Sequence, residues 1–155
     1  MTLELLQRVE RLEAIEDIRH LKARYFDFCD DNYNPSGIAS LFTEDAVWEG
    51  GSFGHHVGRD AIRGHFERVS SDIVFAAHLG MNAIIDIDGH TAKGRWRMIM
   101  PSVVMNGDKK EAKWLLVAYE DTYAKIDGSW LFTSMSSRIN FYSPHLGSWA
   151  ETAVP

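Results

Sequence analysis

Apolar residues recur at steps of three and four from Leu5 to about Asp30, first through Val9 and Leu12, then through Ala14, Ile18, Leu21, Tyr25 and Phe28. That is the period of an amphipathic helix, and it predicts one long helix with room for a bend near its middle. Asn34-Pro35 stops it and restarts a short helix, with Pro35 in the first turn and Ile38, Leu41 and Phe42 on one side. Ala46 to Glu49 reads as a brief strand, Gly50 to Gly58 as a loop bearing glycine and histidine, and Ala61, Ile62, His65, Phe66 and Val69 outline another helix beginning near Arg59-Asp60.

Beyond Phe75 the texture changes to β-branched and aromatic runs. Asp88-Gly89, Asn106-Gly107 and Asp127-Gly128 are turn signals between strands. They predict four antiparallel strands, roughly Ala83 to Asp88, Thr91 to Met105, Glu111 to Lys125 and Ser129 to Tyr142, and strands this long must curl. Helices gathered on one side of a curved antiparallel sheet make an α+β domain with a concave side suited to a pocket. No repeat or linker divides the chain, so residues 1–155 read as one domain.

Composition narrows the function classes. A net charge of -6 offers no electrostatic footprint for phosphate backbones, so nucleic acid is a poor partner. No apolar run approaches the ~20 residues needed to span a bilayer, and the stretch Met1 to Arg11 is charged rather than signal-like. These features lead to the expectation of a cytoplasmic protein with no membrane partner. The single cysteine, Cys29, supplies no redox or metal motif and reads as apolar packing. Nucleotide-binding loops, HExxH and GxSxG are missing from the sequence. His55 and His56 are neighbours whose side chains point apart on an extended segment, so they read as a solvated loop pair and no metal site is expected.

What remains is a dispersed acid/base set: Tyr25, Asp30, His78 and Arg138. Each also has a structural reading: Tyr25 as a core tyrosine, Asp30 as a turn residue, His78 as a buried histidine and Arg138 as a sheet charge. Asp30 stands at a helix C-terminus, where the dipole disfavours a carboxylate and something nearby must compensate. Strict alternation along the last strand puts Trp130, Phe132, Ser134, Ser136, Arg138, Asn140 and Tyr142 on one face, with aromatics at both ends and polar groups between, as a ligand pocket requires. The alternative is that the face carrying Leu131, Met135, Ile139 and Phe141 packs under the helices.

The order of elements resembles the cystatin-like α+β cone of the nuclear transport factor 2 superfamily. Within it, the runs Ile18–Phe26, Leu41–Trp48, Gly58–Ile62 and Thr91–Trp96 resemble the SnoaL-like family, from about Val9 to Tyr142. The nearest resemblance is to the bile acid 7-alpha-dehydratases, with scytalone dehydratase and hexachlorocyclohexane dehydrochlorinase as more distant relatives. By that resemblance Tyr25 matches the dehydratase tyrosine, Asp30 the acid ending the same helix, His78 the catalytic histidine and Arg138 the arginine of the last strand. The bile acid enzymes carry a further aspartate where this chain has Met100, and the tail Ile139–Pro144 looks more like the dehydrochlorinase, so the resemblance implies a different substrate.

The chemistry these residues allow is elimination without a cofactor. A histidine fixed by a carboxylate is a base near neutral pH, so His78 is the expected base and Asp30 its orienting partner. Tyr25 and Arg138 are the expected donors to the developing oxyanion or departing hydroxyl. Trp48, Phe53, Trp96, Met98, Met100 and Phe132 are candidate apolar walls, and Asn140 a candidate substrate contact. The expectation is a dehydratase-like lyase acting on a small apolar polycyclic or aromatic molecule. Isomerisation or carbon–carbon cleavage at the same site is an alternative, and a non-catalytic binding or assembly domain is another. An exposed convex sheet face predicts a homo-oligomer, a dimer or trimer.

Overall fold

The computed structural model describes residues 2–69 and 71–145; the last ten residues of the expected 1–155 domain lie outside them. Helix α1 runs unbroken over Leu3–Asp30, with Thr2 as its N-cap accepting from the Leu5 amide. Asn34 caps α2 (Pro35–Ala39) by accepting from the Gly37 amide, and Pro35 occupies the first turn, where its missing N–H is not needed. Helix α3 covers Arg59–Val69 and buries Ile62 and Phe66.

Among the described residues, seven strands form one sheet: β1 (Phe42–Glu49), β2 (His55–Val57), β3 (Ile73–Ala76), β4 (Leu79–Asp88), β5 (Thr91–Asn106), β6 (Lys109–Ile126) and β7 (Ser129–Pro144). Their order is β2-β1-β7-β6-β5-β3, with β4 beside the first half of β5 and β3 beside its second half. The four-strand meander stands where its turn residues predict it. The sheet is mixed rather than purely antiparallel, because β1 returns from the helices to lie parallel to β7. β1 begins four residues earlier than the pattern predicts, and the expected loop contains a short edge strand, β2, paired with β1.

The core lies between the helices and the inner sheet face. Ile18, Leu21, Phe26 and Phe66 pack against Phe42, Met98, Val117, Phe132 and Met135, all buried. The Arg59 guanidinium donates to the Phe42 carbonyl at 2.9 and 2.6 Å, tying the start of α3 to β1. A polar network also crosses this core. Trp96 donates to the Tyr123 hydroxyl (3.0 Å), Tyr123 donates to Asp121 (3.0 Å), and Asp121 meets the Lys22 ammonium at 2.8 Å. Burial lowers the Lys22 pKa and raises that of Asp121, while their mutual attraction opposes both shifts. A Cβ at position 94 would fall 2.8 Å from the Tyr123 hydroxyl, so the Gly94-Arg95-Trp96 run serves this network.

Candidate active site

Asp30 ends α1, and His78 stands on the short link between β3 and β4. The geometry supplies the compensation that a carboxylate at a helix C-terminus requires. The His78 amide donates to both Asp30 oxygens (3.0 and 3.1 Å), and His78 Nδ1 lies 2.6 Å from Oδ1. An ionised carboxylate only accepts, so Nδ1 carries the hydrogen and Nε2 keeps its lone pair. The His78 side chain is 7% exposed and its ring stacks on Phe26 at 5.9 Å. Phe26 comes this close because residue 80 is glycine: a Cβ there would lie 2.2 Å from the Phe26 ring.

His78 opens onto a cavity of about 80 Å3 within the concave side of the sheet. Tyr25, Trp48, Phe53, Met98 and Met100 share its wall. The Tyr25 hydroxyl accepts from Trp48 Nε1 at 3.2 Å and also hydrogen-bonds the neighbouring Cys29 thiol. Burial pushes the Tyr25 pKa well above its usual value, so this phenol stays protonated and acts as a donor rather than a base. Met100 is buried in the wall, putting a thioether where the resemblance implies a carboxylate.

Four expected site residues lie elsewhere. Tyr123 pairs with Phe132 and Thr122 with Ser134, so Thr133 is an extra residue in β7. This bulge reverses the alternation assumed from the sequence. Trp130, Phe132 and Met135 are buried, Ser137 reaches the cavity, and Arg138 is exposed on the outer face beside Arg95, Arg97 and Glu120. Asn140 is the extra residue of a second irregularity; it is exposed and accepts from Arg97 at 3.2 Å. Trp96 is committed to Tyr123, and Phe132 lies in the core against Phe42 and Tyr25 rather than in the cavity wall.

Several cavity residues carry no sequence signal. Tyr33 follows the helix end in a left-handed conformation (φ 52°) that turns its ring edge-on to His78, at 5.8 Å. Ser137 faces inward only because of the bulge. His65, on α3, stacks between Trp48 (4.7 Å) and His56 (4.3 Å). Desolvation first, then the charges of His56 and Arg68, lower its pKa to about 4, so it is neutral near pH 7. His56 is therefore not the solvated residue the sequence suggests: its ring is packed and Nε2 is buried, whereas His55 faces outward to Glu49 at 2.7 Å. Lys22 does not line the cavity and had no place among the expected site residues; a lysine within the apolar stripe of α1 is the sequence signal that marks it.

The SnoaL-like domain profile matches residues 10–136. The chain belongs to the SnoaL-like family. Among solved structures, a hexachlorocyclohexane dehydrochlorinase of type 2 is similar at 19% identity and a TM-score of 0.83, with 91% of this chain and 95% of that one covered. A protein described as a scytalone dehydratase, from Novosphingobium aromaticivorans, is similar at 23% identity and 0.78, with 90% and 93% covered. An NTF2-like protein with a cystatin-like fold from the same organism is similar at 21% identity and 0.74, with 97% and 96% covered. At these identities the structural likenesses establish the fold. No curated protein sequence matches the chain. Among the described residues, no helix is long and apolar enough to cross a membrane.

Proposed function

We propose that this SnoaL-like protein is a cofactor-independent lyase that eliminates water, or a comparable leaving group, from a small neutral apolar molecule. The observation that carries this reading is the 2.6 Å contact of His78 Nδ1 with Asp30 at the edge of an apolar cavity. His78 Nε2 takes the proton from an acidic C–H, the electron pair forms the new double bond, and the leaving group departs from the adjacent carbon, a hydroxyl taking the proton back from the His78 imidazolium to leave as water. Asp30 stabilises the imidazolium formed, as a carboxylate held against Nδ1 does in other histidine bases. Tyr25, kept protonated and accepting from Trp48, donates to the oxygen where charge develops. With Arg138 on the outer face, this reading gives the donor role to Tyr25 without it. The same base returning its proton to another carbon would perform an isomerisation, which product identity separates from elimination.

The cavity also bears on substrate size. At about 80 Å3 it is smaller than the ~150 Å3 dry cavity that admits benzene. Substrate therefore fills the cavity together with the open mouth beside it, where Phe53 is 41% exposed. The volume favours an aromatic or single-ring substrate over a polycyclic one, and Met100 removes the carboxylate that would meet a polar group. The test is a panel of neutral cyclic β-hydroxy ketones of one to four rings incubated with the protein. The expected result is loss of water with a new conjugated absorption band, strongest for the smallest members. Saturable binding throughout the panel with no product would overturn the lyase reading in favour of a binding domain.

A further inference from the structure

Helix α1 carries two apolar stripes, on opposite faces. At 100° per residue, Leu5, Val9 and Leu12 centre about 165° away from the face formed by Ala14, Ile18, Leu21, Tyr25 and Cys29. The second stripe is buried in the core, and burial begins only at Ala14. The first remains exposed, with Leu5 at 45%, Val9 at 37% and Leu12 at 65%, and Leu6 beside it at 39%. Among the described residues, the body of the domain packs on the other side of the helix and leaves this stripe uncovered.

We infer that the Leu5–Val9–Leu12 stripe is a self-association surface that pairs with the same stripe of a second copy of this chain, the two helices running parallel. The spacing 5, 9, 12 is that of d, a and d positions in a heptad, which points the three side chains into one seam. In that register Arg8 falls at g and Glu13 at e, on opposite flanks of the stripe, and both are exposed. Parallel pairing sets Arg8 of each copy against Glu13 of the other, twice per pair, whereas antiparallel pairing sets like against like. Glu16, at the next a position and engaged with Arg19 and His20, ends the seam after three turns. Because each domain packs on the far side of its own helix, the two bodies lie outside the pair. This surface is separate from the convex sheet face and does not depend on the catalytic reading.

The test is sedimentation equilibrium of the full chain at high micromolar concentration. The wild-type protein should have at least twice the mass of Leu5→Glu/Leu12→Glu. Both positions are exposed, so circular dichroism and the melting temperature of the variant should stay close to wild type. Arg8→Glu and Glu13→Arg should each lower the mass, and the double charge swap should restore it. Equal masses for wild type and Leu5→Glu/Leu12→Glu overturn the proposal, whether both are monomers, both share one oligomer built elsewhere, or the stripe serves a foreign protein. Failure of the double swap to restore mass overturns the parallel pairing.

Discussion

Replacing Lys22 by methionine should be among the most damaging single changes in this protein, although Lys22 does not line the cavity. Its ammonium is fully buried, 2.8 Å from Asp121 and 3.7 Å from the centre of the Tyr119 ring. A desolvated cation over an aromatic face contributes about 2 kcal/mol, and removing one partner of a buried ion pair costs about 3–5 kcal/mol because the other charge is left uncompensated. In Lys22→Met, Asp121 keeps only the Tyr123 hydroxyl on Oδ2, and its Oδ1 already has no partner. Against a total stability of about 5–15 kcal/mol, such a loss brings unfolding within reach of low urea. Lys22→Met/Asp121→Asn removes both charges and keeps an acceptor for Tyr123, so it should recover to within about 2 kcal/mol of wild type.

The pH dependence has a definite sign. Burial raises the Asp121 pKa, and losing Lys22 removes the main influence holding it down. A carboxyl whose folded pKa is raised adds stability that is complete below its unfolded value and is lost as pH rises through the folded value. The Lys22→Met deficit should therefore be smaller at pH 5 than at pH 8. Urea unfolding followed by tryptophan fluorescence and circular dichroism measures all three proteins. A loss below about 1 kcal/mol in the single variant, or a double variant no more stable than Lys22→Met, would refute the reasoning.

Three further outcomes are expected. Nitrogen-15 NMR of His78 should show the hydrogen on Nδ1, because it is held by Asp30; a ring with its hydrogen on Nε2 alone would mean the base lone pair is not available. His65 should titrate near pH 4, and since its folded pKa lies below the unfolded value of 6.5, its contribution to stability should be present above pH 6.5 and fade as pH falls toward 4; an NMR midpoint near 6.5 would contradict its desolvation. Gly80→Ala should push Phe26 against His78, lower stability by about 1–3 kcal/mol by overpacking, and reduce turnover; unchanged melting and activity would show that Phe26 moves freely.

Much of this architecture is written locally in the chain. The Asp-Gly and Asn-Gly turns and the helix period depend on neighbours a few residues apart, and they locate β4–β7 and the three helices. Tyr25, Asp30 and His78 were legible as a set only through family resemblance, because their meeting joins a helix end to a link 48 residues away. Arg138 and Asn140 were misplaced because extra residues at Thr133 and at Asn140 itself break the period-two pattern, and no turn residue announces such bulges. The parallel pairing of β1 with β7 was likewise invisible, since it depends on where the helices return the chain. Leu5, Val9 and Leu12 share the three-and-four spacing of the core stripe, yet they face the other way and stay exposed.

The most direct test of the central claim is the turnover of His78→Ala on whichever substrate the panel yields. Removing a general base with its fold intact should lower kcat by about 10²–10⁴-fold with little change in melting temperature. Unchanged turnover in a folded His78→Ala protein would contradict the account, because the base would then lie elsewhere.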